Sequence, residues 1–384
     1  MSLGERVPRL RFPGFEGEWI PTLLKSILDE RKTYAEKDGS YPHATLSKEG
    51  IYGKTDRYDR DFLVSTENKE YKITLKNDLC YNPANLKFGV ICLNTFGSAI
   101  FSPIYVTFEI DKSYSPQFVG AALTQKDFIG YALRFQQGTV YERMAVSPED
   151  FLSISRRFPA IAEQEKIAEF ISLLNSRIAA QRKLVELLKK HKRGLLREVF
   201  EENIDGKFCA FSEIACRRNE KISPTKNSNL DCIELEHIEP ETGMCLGNVP
   251  LRIQNSLKNL CKPNDIIFGK LRPYLRKFLF SESEYAVSSE TWILTASDGI
   301  YPKFLFYLIQ SEPFMRAANV SSGTKMPRSE WSNVANAKFH IPNTKKQKSI
   351  ADCFSLIDVH LQKNQKSLSA MEALKRGLLQ QMFV

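Results

Sequence analysis

The feature that most constrains the fold of this chain is an internal repeat, because a stretch that begins at Pro159 recurs without a gap from Pro342. The two stretches keep the same register to their ends, which chance does not explain. A repeat of this kind indicates that one structural unit is used twice. Each of the following residues occurs again 183 positions later: Pro159, Gln164, Ile167, Ala168, Ser172, Leu173, Lys183, Lys192, Arg193, Gly194, Leu195, Leu196 and Phe200.

Both copies of the repeat also carry apolar residues about every 3.5 positions, which is the pattern of a coiled-coil helix. Polar residues interrupt this seam at matching points, Gln181 with Asn364 and Lys192 with Lys375. A buried polar group in a seam can fix the register of two helices at some cost in stability. Equal lengths and matched interruptions predict two helices that pack on each other rather than in separate cores. The seam residues are Ile167, Ile171, Leu174, Ile178, Val185, Leu188, Leu195 and Val199 in the first copy, and Ile350, Phe354, Ile357, Leu361, Leu368, Met371, Leu378 and Met382 in the second.

The sequence outside the two helices repeats more weakly. Residues 78–81 (Asp-Leu-Cys-Tyr) match residues 265–268 (Asp-Ile-Ile-Phe), and residues 102–106 fall at the same offset as residues 289–293. Short alternating or continuous apolar runs near these segments are typical of β-strands. We therefore predict an α+β (α/β-type) chain with two homologous β-rich domains, separated by two long helices that form an antiparallel coiled coil with internal pseudo-two-fold symmetry.

The domain boundaries follow from the repeat. We predict a first domain over residues 1–158, a first long helix within 159–205, a second domain over 206–341 and a second long helix within 342–384. Such a duplication makes a pseudo-dimer within one chain, which can match the two-fold backbone of duplex DNA half-site by half-site. A helix from Ile161 to Phe200 would be about 60 Å long, more than one DNA turn of ~34 Å. The architecture predicts a DNA target in two parts.

Composition is compatible with a nucleic-acid partner. The chain carries 54 Lys and Arg against 45 Asp and Glu, a formal net charge of +9, and such a balance favours a polyanion. No apolar run approaches the ~18 residues that span a bilayer, and the N-terminus lacks the order of a signal peptide, so we expect a cytoplasmic protein without a membrane partner. The eight cysteines show no CxxC pair and no zinc spacing. This predicts reduced, mostly buried thiols.

Three segments resemble the specificity (S) subunits of type I restriction-modification systems. Residues 8–19 (PRLRFPGFEGEW) are similar to the N-terminus of that family, and residues 161–168 (IAEQEKIA) to the start of its first long helix. Residues 268–277 (FGKLRPYLRK) resemble a stretch common in its target recognition domains. Together with the duplication, the resemblance covers essentially the whole chain.

The resemblance implies a non-catalytic subunit that selects the DNA sequence while other chains perform the chemistry. Such a subunit would bind double-stranded DNA, join two modification subunits into an adenine-N6 methyltransferase, and add restriction subunits to form the endonuclease. Each recognition domain would read one part of a split target, and the helices would set the gap between the parts. The chain itself would bind no cofactor, because S-adenosylmethionine, ATP and Mg would be used by the partner subunits.

Basic and aromatic clusters are the candidate DNA contacts, because lysine and arginine bind phosphates and arginine can pair with guanine edges. A solvated basic turn is the alternative interpretation of each cluster, and a shared structural turn would equally explain the glycines before Thr139 and Thr324. The candidates in the first domain are Lys48, Lys54, Arg57, Tyr58, Arg60, Thr139 and Arg143, and those in the second are Lys270, Arg272, Tyr274, Arg276, Lys277, Thr324, Lys325 and Arg328.

Three apparent enzyme motifs fail on inspection, so we predict no catalytic or metal-binding residue. Residues 50–55 lack the glycine spacing of a phosphate loop, and residues 82–85 (Asn-Pro-Ala-Asn) lack the second proline and the aromatic residue of the amino-methyltransferase motif. Strand alternation would separate Glu234 and Glu236 from His237. Two alternatives stay open at this point: a self-contained nuclease with DNA-binding domains, and a coiled-coil scaffold that binds without sequence preference.

Overall fold

The strands of this chain are short because turn residues interrupt each apolar run, and they assemble in two compact units. A computed structural model describes residues 6–36, 39–54, 70–138, 144–202, 206–225, 228–320 and 326–384. The first unit comprises Met1–Ile178 with Met371–Val384, and the second comprises Ala179–Ala370. Both units mix helices with strands, which confirms the predicted α+β class.

The first unit is built on a four-stranded antiparallel sheet of order β2-β10-β7-β8, beside a three-stranded sheet of order β3-β6-β9 and the pairs β1-β11 and β4-β5. Its strands are β1 (Ile20–Leu23), β2 (Leu28–Glu30), β3 (Tyr34–Ala35), β4 (Ala44–Ser47), β5 (Gly50–Gly53), β6 (Tyr71–Thr74), β7 (Leu79–Tyr81), β8 (Ile91–Leu93), β9 (Ala99–Phe101), β10 (Val106–Ile110) and β11 (Ser155–Phe158). Its helices are α1 (Pro116–Leu123), α2 (Lys126–Ala132), α3 (Pro148–Leu152) and the first part of α4 (Ile161–Arg197).

The second unit repeats this plan with a sheet of order β13-β21-β18-β19, a five-stranded sheet of order β14-β17-β20-β15-β16 and the pair β12-β22. Its strands are β12 (Lys207–Ala210), β13 (Ala215–Arg217), β14 (Lys221–Ile222), β15 (Asp231–Ile233), β16 (Val249–Pro250), β17 (Lys258–Cys261), β18 (Ile266–Gly269), β19 (Phe278–Phe280), β20 (Tyr285–Val287), β21 (Thr291–Ala296) and β22 (Lys338–Ile341). Its helices are α5 (Phe211–Ile214), α6 (Pro302–Leu308), α7 (Glu312–Ala318), α8 (Trp331–Asn336) and α9 (Thr344–Met382), whose last residues belong to the first unit.

One buried ion pair recurs in both units and shows that the weak repeat is structural. Asp78 accepts two hydrogen bonds from Arg31, at 2.9 and 3.0 Å, and Asp265 accepts two from Arg218, at 2.7 and 3.1 Å. Both the arginines and the aspartates lie 187 positions apart in the chain. A bidentate pair of this kind fixes planar geometry as well as charge. It therefore anchors the second strand of each unit to the turn before β7 or β18.

The two long helices are antiparallel where they contact each other in the second unit. Gln181 Nε2 donates to Asn364 Oδ1 at 2.9 Å, and Lys192 Nζ lies 2.7 Å from Asp358 Oδ1. From the first contact to the second, the residue number rises along α4 and falls along α9, so the two helices run in opposite directions. Gln181 and Asn364 occupy equivalent positions of the repeat, and equivalent residues of an antiparallel pair can meet only at the local two-fold axis. The predicted seam is confirmed, since none of its residues is exposed.

Each long helix begins with the same side-chain contact. Gln164 accepts a hydrogen bond from the backbone N–H of Ser115 at 3.1 Å and donates to the carbonyl of Pro159. Gln347 in the same way accepts from the N–H of Tyr301 at 2.7 Å and donates to its own preceding proline. Ser115 and Tyr301 immediately precede α1 and α6. The repeated glutamine therefore joins the start of a long helix to the first helix after the central sheet.

The N-terminal segment that resembles the family motif is a structural clamp within the first unit. Arg11 makes two hydrogen bonds of 2.7 Å to Glu163, which lies buried in the first turn of α4. The ring of Trp19 is fully buried and lies 6.3 Å from that of Phe383 at the end of α9. The motif therefore ties the start of one long helix and the end of the other to the same core.

We expect Arg11→Met to destabilise the first unit by about 3 kcal/mol, because it leaves the buried carboxylate of Glu163 without its cation. Adding Glu163→Gln should restore most of that loss, since the uncompensated charge is then removed. Arg6→Met is the matched control, because the Arg6–Glu18 pair is exposed and such pairs contribute about 0–1 kcal/mol. The free energy of unfolding of all three variants can be measured by urea titration, with hydrogen exchange in peptides of the first unit as the readout. Equal losses for Arg6→Met and Arg11→Met would contradict the assignment.

The cysteines agree only in part with the prediction of mostly buried thiols. Four are buried and one is half-buried, but Cys216, Cys245 and Cys353 are exposed. Burial raises the pKa of Cys92 to about 11 and that of Cys261 to about 12, so both thiols stay protonated at neutral pH. The prediction was wrong for the exposed three because a strand, a loop and a helix position, respectively, place Cys216, Cys245 and Cys353 outward, and composition does not show this. Within the described ranges, no helix combines the length and apolarity needed to cross a membrane.

Candidate DNA-contact surface

The candidate cluster of the second unit lies in the loop between β18 and β19, which we call the second tip loop (residues 269–277). The N–H of Gly269 donates to the carbonyl of Lys277 at 2.8 Å and closes the loop. Arg272 and Arg276 have left-handed backbones, with φ of 51° and 52°, on either side of the short 3-10 helix Pro273–Leu275. This conformation is uncommon for a residue with a side chain and persists only when the surroundings hold it.

Two candidates in this loop project outward. Arg272 and Tyr274 are exposed, the latter by 56%, and within the described part of the chain the guanidinium of Arg272 has no ion-pair or hydrogen-bond partner. Lys270 is half-buried and contributes to lowering the pKa of Glu290, after the larger effect of the Arg328 hydrogen bond. An arginine held in a fixed loop with its guanidinium free is well suited to bind a base edge or a phosphate.

The other two candidates in the loop project inward. Arg276 Nη1 lies 2.7 Å from Glu312 Oε1, and its Nη2 donates to the carbonyl of Gln310 at 2.5 Å. Lys277 Nζ donates to the carbonyl of Leu235 at 2.5 Å. These contacts hold the loop on the body of the second unit, so in this conformation both side chains position the loop rather than extend from it.

Arg328, from the late cluster of the second unit, lies beside the same loop. Its guanidinium makes hydrogen bonds of 2.9 and 3.1 Å to Glu290, which raise the pKa of Arg328 and lower that of Glu290. Its backbone pairs with Leu271 as an isolated β-bridge. The structure thus brings together two clusters that the sequence separates by some fifty residues. Thr324 and Lys325 lie outside the described residues.

The first-unit candidates are only partly described. Lys48 is exposed in the turn between β4 and β5, and Lys54 is half-buried just after β5, where its N–H donates to the carbonyl of His43 at 2.8 Å. The remaining first-unit candidates, Arg57, Tyr58, Arg60, Thr139 and Arg143, lie outside the described residues.

The sequence interpretation missed the loop between β7 and β8, which we call the first tip loop (residues 82–90). Its exposed residues are Lys87 and Phe88, and Lys87 Nζ lies 5.1 Å from the Phe88 ring centroid. In the first unit, the N–H of Val146 donates to the carbonyl of Pro83 at 3.3 Å, and in the second that of Ser329 donates to Lys270 at 2.9 Å. The late segment therefore joins the tip loop in both units. The weak repeat could have indicated this loop. Because Asp78 matches Asp265 at an offset of 187, residues 82–90 correspond to the second tip loop, residues 269–277.

The acidic cluster considered for metal chemistry has a different structure from the predicted strand. Leu235–His237 form a 3-10 helix preceded by Glu234, so the expectation of an alternating strand was wrong. Glu234 forms an ion pair with Lys258; burial alone would raise the pKa of Glu234, but hydrogen bonds, first that of Lys258, lower it overall. Among the residues that the structure describes, no group of three His, Cys, Asp or Glu side chains could hold a metal ion.

The architecture is a duplicated mixed domain combined with a pair of long antiparallel helices, and comparison with known proteins relates it to one family. No protein-family model matches the chain. A type I restriction enzyme MjaVIII specificity subunit from Methanocaldococcus jannaschii is 23% identical over 90% of this chain and 85% of that protein.

Two solved structures share the fold. The S subunit of a type I restriction-modification system from M. genitalium superposes with a TM-score of 0.61, at 15% identity, over 98% of this chain and 99% of that one. A chain from a structure of the type I restriction-modification system, described for its complex assembly and conformational transition, gives a TM-score of 0.52 at 14% identity over 94% and 96%. The predicted resemblance to type I specificity subunits is thus confirmed by sequence and by fold. These relatives imply a non-catalytic role and do not favour the nuclease or scaffold alternatives.

Proposed function

We propose that this chain is the DNA-specificity subunit of a type I restriction-modification complex, which binds a two-part DNA target and directs adenine-N6 methylation and restriction by partner subunits. The observation that carries the proposal is the duplication: one structural plan, with the same sheet order and the same Arg–Asp pair, occurs twice in a fold shared with S subunits. Two equivalent surfaces suit two half-sites on duplex DNA.

The tip loops support DNA as the partner of both surfaces. In the second unit Arg272 is exposed and unpaired within the described ranges, and in the first unit Lys87 is exposed beside Phe88. When exposed lysine and arginine side chains bind DNA phosphates, the counterions condensed on the DNA are released. This release supplies a binding affinity that falls as the salt concentration rises. In this proposal the chain has two recognition domains, residues 1–158 and 206–341. They alternate with two helical segments, residues 159–205 and 342–384.

The chemistry belongs, in this proposal, to other chains. Two modification subunits would supply the methyltransferase and its S-adenosylmethionine, and restriction subunits would supply ATP- and Mg-dependent cleavage. The chain described here would bind no cofactor, act in the cytoplasm and contact DNA and protein only.

Sequencing of methylated adenines in a methylation-deficient host that expresses this chain with its modification subunit tests the proposal. We expect one motif made of two short half-sites around a gap of unspecified bases, modified in both halves. The purified chain alone, with Mg, should neither cut nor methylate the same DNA. A single uninterrupted motif, or modification without this chain, would refute the proposal.

A further inference from the structure

The two tip loops share two backbone hydrogen bonds although their sequences differ. The N–H of Asn82 donates to the carbonyl of Val90 at 3.0 Å, as that of Gly269 does to Lys277 at 2.8 Å. Donor and acceptor are each displaced by 187 positions between the units. The bond that closes one loop therefore closes the other.

An inner turn is shared as well. The N–H of Gly89 donates to the carbonyl of Leu86 at 2.8 Å, and that of Arg276 donates to Pro273 at 2.8 Å, again at the offset of 187. Gly89 and Arg276 both have a left-handed backbone, with φ of 77° and 52°. Leu86 and Pro273 are both buried. An arginine keeps this conformation in the second loop because Glu312 holds its side chain.

Between the buried residue and the left-handed residue, each loop exposes two side chains. They are Lys87 and Phe88 in the first loop and Tyr274 and Leu275 in the second. Phe88 is 62% exposed and Leu275 is 38% exposed. One exposed apolar side chain on a surface needs no explanation. Its recurrence at the equivalent position of two loops that share these hydrogen bonds, in two otherwise divergent sequences, does need an explanation.

The cations beside these apolar tips favour nucleic acid as the ligand. Lys87 lies directly beside Phe88, and Arg272 lies three residues before Leu275. An apolar side chain flanked by cations suits DNA, in which base faces and thymine methyl groups lie between phosphates. A protein partner would more often bury an apolar patch of several residues than one isolated tip.

We propose that Phe88 and Leu275 are equivalent base-contacting residues, one for each half of the DNA target, with Lys87 and Arg272 binding the phosphate or base edge beside them. This inference rests on the proposed function and assigns residues within it. Because Phe88 presents a phenyl ring where Leu275 presents an isobutyl group, these two equivalent positions contact their half-sites differently. The difference contributes to a target whose halves are not identical.

Phe88→Ala and Leu275→Ala, each expressed with the modification subunit, test the inference. We expect each variant to lose about tenfold or more in methylation rate, or to relax one base position, in one half-site only, and the two variants to affect different halves. A base contact of about 1–3 kcal/mol corresponds to such changes. Phe88→Leu, which copies the second loop, should change the preferred base at that position while the complex stays active.

Ile104→Ala and Ile253→Ala are the matched controls, because these side chains are 62% and 60% exposed and lie outside both loops. Both controls should leave the motif and the rates unchanged, and all five variants should keep the thermal midpoint of the parent. If Phe88→Ala and Leu275→Ala methylate the parent's two-part motif at the parent's rate, the inference is overturned while the proposed function stands. If the parent itself has no two-part motif, the proposed function fails first.

Discussion

Replacing Lys270 and Arg272 together by alanine is expected to reduce discrimination at one half-site by roughly a hundredfold and to leave the choice of the other unchanged. Arg272 is exposed, and its backbone is held in place because its N–H donates to the carbonyl of Pro327 at 2.7 Å. Each good base contact discriminates by about 1–3 kcal/mol. Two contacts therefore correspond to roughly a hundredfold change, given ~1.4 kcal/mol per factor of ten.

Methylation kinetics on duplexes in which each half-site is altered separately measure this effect. The double variant should tolerate changes in one half that the parent rejects, and should discriminate as the parent does in the other half. An equal loss on every duplex, with a reduced salt dependence, would instead identify the two residues as phosphate contacts.

Arg276→Ala provides a comparison within the same loop. Its guanidinium binds Glu312 and the carbonyl of Gln310, and its side chain is only 16% exposed. Its loss should lower the thermal midpoint of the second unit and displace the loop, whereas the loss of Arg272 should leave the midpoint unchanged. The structure therefore separates two arginines that the sequence presents as one cluster.

The helices and the duplication could be predicted from sequence because both depend on periodicity. A 3.5-residue apolar repeat is visible without a structure, and the interruption by Gln181 and Asn364 already indicated a register. The structure shows that these two residues hydrogen-bond to each other. The contacts that stabilise each unit could not be predicted in this way. Asp78 and Asp265 were aligned, but the arginine that pairs with each lies 47 residues earlier, and no local pattern connects them.

The candidate surface was less predictable than the fold, since the direction of a side chain in a loop follows no period. Whether Arg272 or Arg276 extends outward depends on two left-handed residues and on contacts from distant segments. Phe88 was missed for a different reason: its segment contains a single lysine and so has no basic cluster. Only the equivalence of the two loops, which needs the backbone, makes it a candidate.

Removing one heptad from each long helix is expected to shorten the gap in the DNA target by up to about three base pairs. Seven residues are ~10 Å of helix, and B-DNA rises ~3.4 Å per base pair. A whole heptad preserves the apolar seam, whereas removing three or four residues would rotate it. The choice of the heptads decides whether the rest of the packing survives.

The contact between Gln181 and Asn364 identifies the segments to remove. Residues 178–184 and 361–367 are centred on these two residues, so their joint removal keeps the register of the helices on both sides. The ion pair of Lys192 with Asp358 is retained. Repeat equivalence alone would equally allow residues 174–180 with 357–363. That pair would delete Asp358 and slide α9 along α4 by two turns within the second unit.

Methylome sequencing of the shortened chain with its modification subunit measures the result. We expect the same two half-sites with a shorter gap and loss of modification at the original motif, because the register of the two helices and the ion pair of Lys192 with Asp358 are kept while both helices are shortened. The hydrogen bonds from Gln365 to Glu239 are lost in this deletion. Gln181→Leu with Asn364→Leu is the matched control, which removes the polar contact at full helix length and should keep the original gap. An active shortened complex that still modifies the original motif would show that the helices do not set the spacing. The deletion of residues 174–180 with 357–363 should be inactive or unstable, since it disrupts the packing of α9 in the second unit.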